Sequence, residues 1–185
     1  MRSREKILAA ALELFSREGY QNVSVSQIAT QAGVAKGLLY NYFSSKEDML
    51  MAIIGWLMAD MFEFLTGINQ ETDPAVKLER LIRVSFQLFR EKRAFYTTIM
   101  PLLTQRVVSE KMHATLSGFL GEFIQELEST LQQAGVPDAR MEAYRLGALI
   151  DGVAWHYLFL FPEQYPLDEV EAYLTRHVSS ILPKT

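Results

Sequence analysis

Between Val23 and Lys46 the chain reads VSVSQIATQAGVAKGLLYNYFSSK, and few arrangements of backbone satisfy that string. Ser24 followed three positions later by Gln27 has the spacing of a capping box. The serine hydroxyl accepts from the Gln27 amide, and the glutamine side chain reaches back to the free amide of Ser24. A helix therefore starts here. Val23 ahead of the cap and Ile28 at the fourth helical position can close over it as a hydrophobic staple, and Val25, Ile28, Ala29 and Ala32 recur at the spacing of one buried helical face. Gly33 ends this helix, because glycine accepts a positive φ without a Cβ clash and lets the chain turn sharply. A second helix follows from Ala35, with Leu39 and Phe43 one turn apart on its core side. At about 100° per residue, Gly37 and Asn41 then point most directly away from the core, flanked by Leu38 and Tyr40.

That outward face is short, flat and polar, and it begins with Lys36. The DNA major groove admits one helix, and side chains near the helix N-terminus reach base edges while neighbouring hydroxyls and ammonium groups hold phosphates. Lys36 suits guanine O6 and N7, Asn41 suits adenine N6 and N7, and Leu38 suits a thymine methyl. Tyr40, Tyr42 and Lys46 are placed for backbone oxygens, contacts that fix register without reading sequence. Ser44 and Ser45 with Glu47 and Asp48 supply another N-cap, so Lys46 falls in the first turn of a following helix whose dipole also attracts phosphate. With Ser24, Ser26 and Gly37, these residues are the candidate DNA-binding set.

The pattern resembles the N-terminal domain of the TetR family of bacterial transcriptional regulators. The resemblance spans about residues 3 to 54, from the opening ILAAALELFSREGY through IAxxAGVAKGLLYxYFxSKEDML. Phe15, Gly19 and Tyr20 close the first helix, the helix-turn-helix follows at the expected distance, and the LYxYF and SKE elements stand in order. It implies a three-helix DNA-binding head, a fourth helix joining it to a ligand-binding body, and a homodimer that leaves its operator when a small molecule binds. Two positions depart from the common pattern. Ala35 stands where a serine often caps the recognition helix, a loss of about 1 kcal/mol, and Leu38 stands where a small hydroxylated residue is common.

A chain of 185 residues can hold a small head and a larger body, and the expected division is 1–45 for DNA binding and 46–185 for ligand binding and dimerisation. Hydrophobic residues make up 49%, enough to suggest apolar surface buried between subunits as well as within one. No cysteine is present, which excludes disulfides and thiolate metal sites. The net charge of −4 sits awkwardly with a DNA partner until it is divided. Residues 1–50 carry six basic against five acidic side chains, so the acidity lies in the body and few phosphate contacts are expected. There is no basic-then-apolar leader, and Asp60 and Asp151 break the longest apolar stretches below membrane-spanning length, so a cytoplasmic location is expected.

Beyond the head the pattern is helical throughout, with no strand-like alternation and no repeat. A fourth helix should run from Lys46 to about Leu65 and stop near Gly67. Asp73 and Pro74 begin a fifth, which continues to about Arg90. A short helix carrying Tyr96 and Met100 should break near Pro101, and a long one should run from about Ser109 to Ala134, closed by Gly135. Pro137 and Asp138 open an eighth, carrying RLGALIDGVAWHYLFLF up to Pro162, and Pro166, Leu167 and Asp168 lead into a ninth ending at Pro183. The expected fold is all-α, with nine helices.

Large flexible and aromatic residues crowd the body, and most of them are expected to be core. A cavity lined by aromatics with one or two buried polar groups is nonetheless how proteins hold small apolar ligands. The candidate lining is Phe62, Phe86, Tyr96, Met100, His113, Phe119, Asp151 and Trp155. For dimerisation, Gly147, Ala148, Gly152 and Ala154 permit close helix approach, with Leu149, Val153, His156 and Phe159 as surrounding bulk and Tyr173, Leu174, His177 and Ile181 on the ninth helix. This face could equally pack within one subunit. The resemblance favours an interface, because it implies a four-helix bundle made by the last two helices and their mates.

Two competing readings remain. Glu110 and His113 form the Glu-x-x-His pair of a di-iron carboxylate enzyme, but such a site needs a second copy and two further carboxylates. The chain has no second copy, and no GxSxG elbow, P-loop or GxGxxG turn. No cofactor is expected. The other reading keeps the DNA binding but drops the inducer, leaving the body to dimerise or to bind a protein partner.

Overall fold

The computed structural model describes the backbone of residues 2–104 and 109–183, and their side chains except at positions 57, 60–67, 69, 103, 104 and 111. Among the described residues there are nine α-helices and no strand. The chain divides into two compact units, one comprising Met1–Phe62 with Ala94–Val108 and the other Glu63–Arg93 with Ser109–Thr185. This differs from the division at residue 46 read from the sequence, because the start of the fourth helix belongs to the first unit and a later segment rejoins it.

The first unit opens with α1 (Ser3–Glu18), whose Ile7, Leu8, Ala11, Leu14 and Phe15 recur at helical spacing and are buried. Gly19 stops it at φ 83°, and a single 3₁₀ turn, Tyr20–Asn22, carries the chain into α2 (Val25–Ala32) and α3 (Lys36–Tyr42). Next comes α4 (Lys46–Asn69), whose Met49, Leu50, Ile53 and Ile54 are buried, as are Ile28 of α2 and Leu39 of α3. It runs past Gly67, where a stop was expected; Ile68 beyond that glycine is buried, so packing carries the helix on.

The rejoining segment lies on α6 (Arg93–Thr104), with Phe95, Thr98, Ile99 and Leu102 buried. The Thr97 hydroxyl lies 2.9 Å from that of Ser16 on α1. The break expected at Pro101 does not occur. A proline inside a helix costs about 3 kcal/mol, and the buried stripe on either side of Pro101 offsets that loss.

In the second unit α5 (Pro74–Glu91) starts as its sequence indicates, with an Asp73 carboxylate oxygen accepting from the Ala75 amide at 2.9 Å and proline in the first turn. It contacts α7 (Glu110–Gln133), α8 (Ala139–Trp155) and α9 (Leu167–Ile181). Lys77 of α5, only 8% exposed, pairs with Glu126 of α7 at 2.5 Å. Between α7 and α8 the approach is close, since a Cβ on Gly147 would stand 2.3 Å from Ile124 Cδ1. The α-helical part of α8 ends at Trp155, short of the run to Pro162 read from the sequence. Five residues, His156–Leu160, continue as a π-helical turn, in which the Phe161 amide donates to the His156 carbonyl at 2.8 Å.

Candidate nucleic-acid interface

The helix-turn-helix is held by the bonds its sequence calls for. The Gln27 amide donates to Ser24 Oγ at 3.2 Å, and the Ser24 amide donates to Gln27 Oε1 at 2.8 Å. Gly33 takes the left-handed conformation, φ 65° and ψ 37°, and the Val34 amide returns to the Ala29 carbonyl at 3.0 Å. Ala35 caps α3 with no side-chain bond, as its missing hydroxyl dictates. Leu39 has no exposed surface and Phe43 is buried, which turns the opposite face outward.

On that face Lys36, Gly37, Tyr40, Asn41 and Tyr42 are exposed, and Leu38 is half-buried. A Cβ added at Gly37 would meet nothing within 4 Å, so the centre of the face is flat and open. Ser24 and Ser26 are exposed on α2, although the Ser24 hydroxyl is engaged in its cap. Arg4 reaches across from α1 with its guanidinium 5.4 Å from the centre of the Phe43 ring, beside the end of α3.

Lys46 is placed differently from the phosphate contact read from the sequence. Its Nζ donates to the carbonyls of Tyr20 at 2.7 Å, Val23 at 2.9 Å and Gln21 at 3.2 Å, and sits 4.5 Å from the centre of the Tyr20 ring. Loss of solvent pushes the ammonium below its ordinary pKa. An ammonium has three protons to give, and here all three are committed inside the head. The start of α4 is capped as well: the Asp48 amide donates to Ser45 Oγ at 3.0 Å, and the Ser44 amide donates to Asp48 Oδ2 at 2.9 Å. With Glu47 and Asp48 in its first turn, that helix end offers a phosphate less than its dipole alone suggests.

The expected ligand-lining residues are divided between the two units. Tyr96 and Met100 fall in the first unit, while Phe86, His113, Phe119, Asp151 and Trp155 fall in the second. Phe86 has no exposed surface and packs against Phe89 with ring centres 5.9 Å apart, so it is core rather than cavity wall. His113 is exposed on α7, one turn from Glu110, which is also exposed. Phe119, Tyr96 and Met100 are half-buried, and the Trp155 ring lies 4.7 Å from that of Phe159. Asp151 is exposed as a residue, yet the protein packed around its carboxyl raises its pKa. The Phe62 side chain lies outside the described residues. A cleft of about 360 Å³ opens in the second unit between Arg90, Tyr157, Tyr165 and residues 166–169, and none of the expected lining residues borders it.

The small residues of α8 split between two faces. Gly147 and Ala154 are buried inside the protomer, and so is Leu174 of α9, which packs within the subunit rather than on an outer surface. Ala148, Leu149 and His156 are exposed, and a Cβ at Gly152 would meet nothing within 4 Å. Met141, Tyr144 and Trp155 extend this outer stripe, which the sequence reading had not joined together although their spacing of three to four residues carries it. Tyr173 is 62% exposed and stacks on His177 with ring planes 4° apart, and Arg145 of α8 lies 2.6 Å from the His177 ring nitrogen. Phe159 and Ile181 are half-buried.

A capped helix, a left-handed glycine turn and an exposed reading face on a three-helix core define a helix-turn-helix DNA-binding head. Residues 7–53 match the bacterial regulatory proteins of the tetR family, and residues 74–183 match the C-terminal domain of BetI-type transcriptional repressors. The chain belongs to the TetR family of bacterial transcriptional regulators, and its relatives are regulators rather than enzymes.

The chain is 28% identical to the regulator BetI of Agrobacterium fabrum over 81% of its own length and 74% of that protein's. It is 31% identical to the fatty acid metabolism regulator protein of Bacillus subtilis over 62% of its length and 61% of that protein's. Another regulator of Bacillus subtilis, YerO, is spanned over only 37% of its length. The fold is shared with the transcriptional regulator FadR from Bacillus subtilis, solved in complex with stearoyl-CoA, at 24% identity and a TM-score of 0.79 over 97% of this chain and 99% of that one. Among the described residues no helix is long and apolar enough to cross a membrane.

Proposed function

We propose that the protein is a cytoplasmic, homodimeric repressor that binds a pseudo-palindromic operator and leaves it when a small apolar or amphipathic molecule binds the body. The observation that carries this is the exposed face of α3, where Lys36, Leu38 and Asn41 surround a flat centre at Gly37 on a helix whose other side is buried at Leu39. Residues 1–45 serve as the DNA-reading part and residues 46–185 as the effector and dimer part. Tyr40 and Tyr42 serve as phosphate contacts, joined by Arg4 beside Phe43.

Two such heads need a symmetric partner. The outer stripe of α8, running from Met141 through Ala148 and Gly152 to Trp155, leaves apolar surface that a second copy would cover. A long-chain acyl-CoA is the proposed effector class, supported by the likeness to a fatty acid metabolism regulator and by a fold neighbour solved with stearoyl-CoA. Selection of protected fragments from genomic DNA, followed by titration of stearoyl-CoA into the complex, tests both halves. Protection of a two-fold symmetric site that is lost on titration is the expected result. Protection that no acyl-CoA or other amphipathic compound disturbs would favour an inducer-free regulator, a reading to which the close packing of Phe86 on Phe89 gives some support.

A further inference from the structure

We propose that Lys46 is a positioning residue: it latches the start of α4 to the turn before α2 and so sets where the recognition helix stands, and it is not a phosphate contact. The proposal rests on the reading of α3 as the DNA-reading helix and assigns a role inside that site.

The need for a latch arises at Gly19, where α1 stops with φ 83° and the chain leaves the helical ladder. The next carbonyls have no helix to donate to them. The Gly19 carbonyl is taken by the Asn22 amide at 3.2 Å, and those of Tyr20, Gln21 and Val23 are the three that the Lys46 ammonium serves. The Tyr20 ring covers the ammonium and itself stacks edge-on against Phe15, with ring centres 5.1 Å apart, so the turn is tied to the α1 core at one end and to α4 at the other.

Val23 is the residue before the Ser24 cap, and its side chain is buried. Holding its carbonyl fixes the point at which α2 begins, and α2 leads through the Gly33 turn into α3. A phosphate could claim this ammonium only by displacing one of three hydrogen bonds of 2.7 to 3.2 Å, two of them to the part-buried carbonyls of Tyr20 and Val23. Lys36 and Arg4 differ in this respect: Lys36 is exposed at the start of α3, and Arg4 is exposed beside the Phe43 ring.

The test compares full-length wild type with Lys46→Met, which keeps the stem and removes the donors, and with Lys46→Arg, which keeps charge and donors. Binding to the selected operator and to an unrelated duplex is measured across a range of salt, with helical content followed by circular dichroism. The expected result for Lys46→Met is a fall of about ten-fold or more in operator affinity, little change on the unrelated duplex, and an unaltered slope of log K against log salt. Lys46→Arg should recover part of the loss. Losing a phosphate contact would instead weaken both duplexes together and reduce the slope by about 0.9, which would overturn the proposal.

A fall on both duplexes that tracks lost helical content would also overturn it, by making the residue merely structural, and so would unchanged operator affinity. Amide exchange without DNA provides a separate reading. Residues 20–25 should exchange faster in Lys46→Met while residues 7–15 keep their protection, and equal protection throughout would remove the latch. A wild-type chain that prefers no duplex would sink the DNA reading and the positioning role with it, yet the exchange difference would still appear, so the two failures are told apart.

Discussion

Asn41 and Lys46 are both polar residues of the proposed DNA-binding set, and the structure separates them by what surrounds them. Asn41 stands exposed on α3. It can present its carbonyl and amide to one adenine edge, and Asn41→Ala should cost about 1–3 kcal/mol at one base position per half-site. Binding to operators substituted base by base checks this; uniform weakening across all positions would remove Asn41 from base reading. Asp151 gives a prediction in pH. Burial raises its carboxyl pKa from the ordinary value of 3.8, so the folded state holds the proton more tightly than the unfolded chain does. The resulting destabilisation is absent below pH 3.8, grows as pH rises through the folded value and is complete above it. Asp151→Asn should therefore raise the melting temperature at neutral pH, and the gain should shrink to nothing in acid. A gain that persists at pH 3 would mean that the carboxyl is not the cause. At this scale the sequence is readable where partners are close neighbours, as in the Ser24 and Gln27 box. It is silent where they are backbone: the carbonyls that hold Lys46 lie 23 to 26 residues earlier and carry no side-chain signature.

Helices and their ends were legible for the same reason. Asp73 with Pro74, Ser109, Gly33 and Gly135 are caps and stops written within one turn, and each stands where its chemistry places it. What the pattern could not show was packing overriding a local signal. Pro101 sits inside α6 because Ile99 and Leu102 are buried around it, and α4 passes Gly67 because Ile68 is. The faces of α8 show the same limit, since a glycine looks alike in sequence whether it meets another helix of its own chain or a second copy. Two substitutions separate the cases. Gly147→Leu pushes a branched side chain into Ile124 and should cost about 1–3 kcal/mol of protomer stability through overpacking. At Gly152 an added Cβ meets nothing within 4 Å in its own protomer, so Gly152→Arg should leave the melting of the isolated chain little changed while placing two charges at the proposed interface. Sedimentation should then show monomers with weakened operator binding. A Gly152→Arg protein that stays dimeric would move the interface off this stripe.

For the whole molecule, α4 is one covalent element common to both compact units, a continuous helix from Lys46 to Asn69. Its first residue is latched to the turn that precedes the reading helices. Any effector of the body that alters the preferred setting of α4 is therefore felt at Tyr20 to Val23, and through them at α2 and α3. Such an effector must bind the DNA-free state more tightly than the DNA-bound one, because equal affinity shifts nothing. The coupling is also reciprocal. If the proposed long-chain acyl-CoA lowers operator affinity ten-fold, a coupling of about 1.4 kcal/mol, saturating operator must weaken acyl-CoA binding by the same factor. Loosening the latch with Lys46→Met should reduce the coupling while leaving effector affinity for the DNA-free protein unchanged. The measurement is a pair of titrations, effector into protein with and without a saturating operator duplex, repeated for the variant. Acyl-CoA affinity that is identical in the presence and absence of operator would end the release mechanism, however tightly the compound binds.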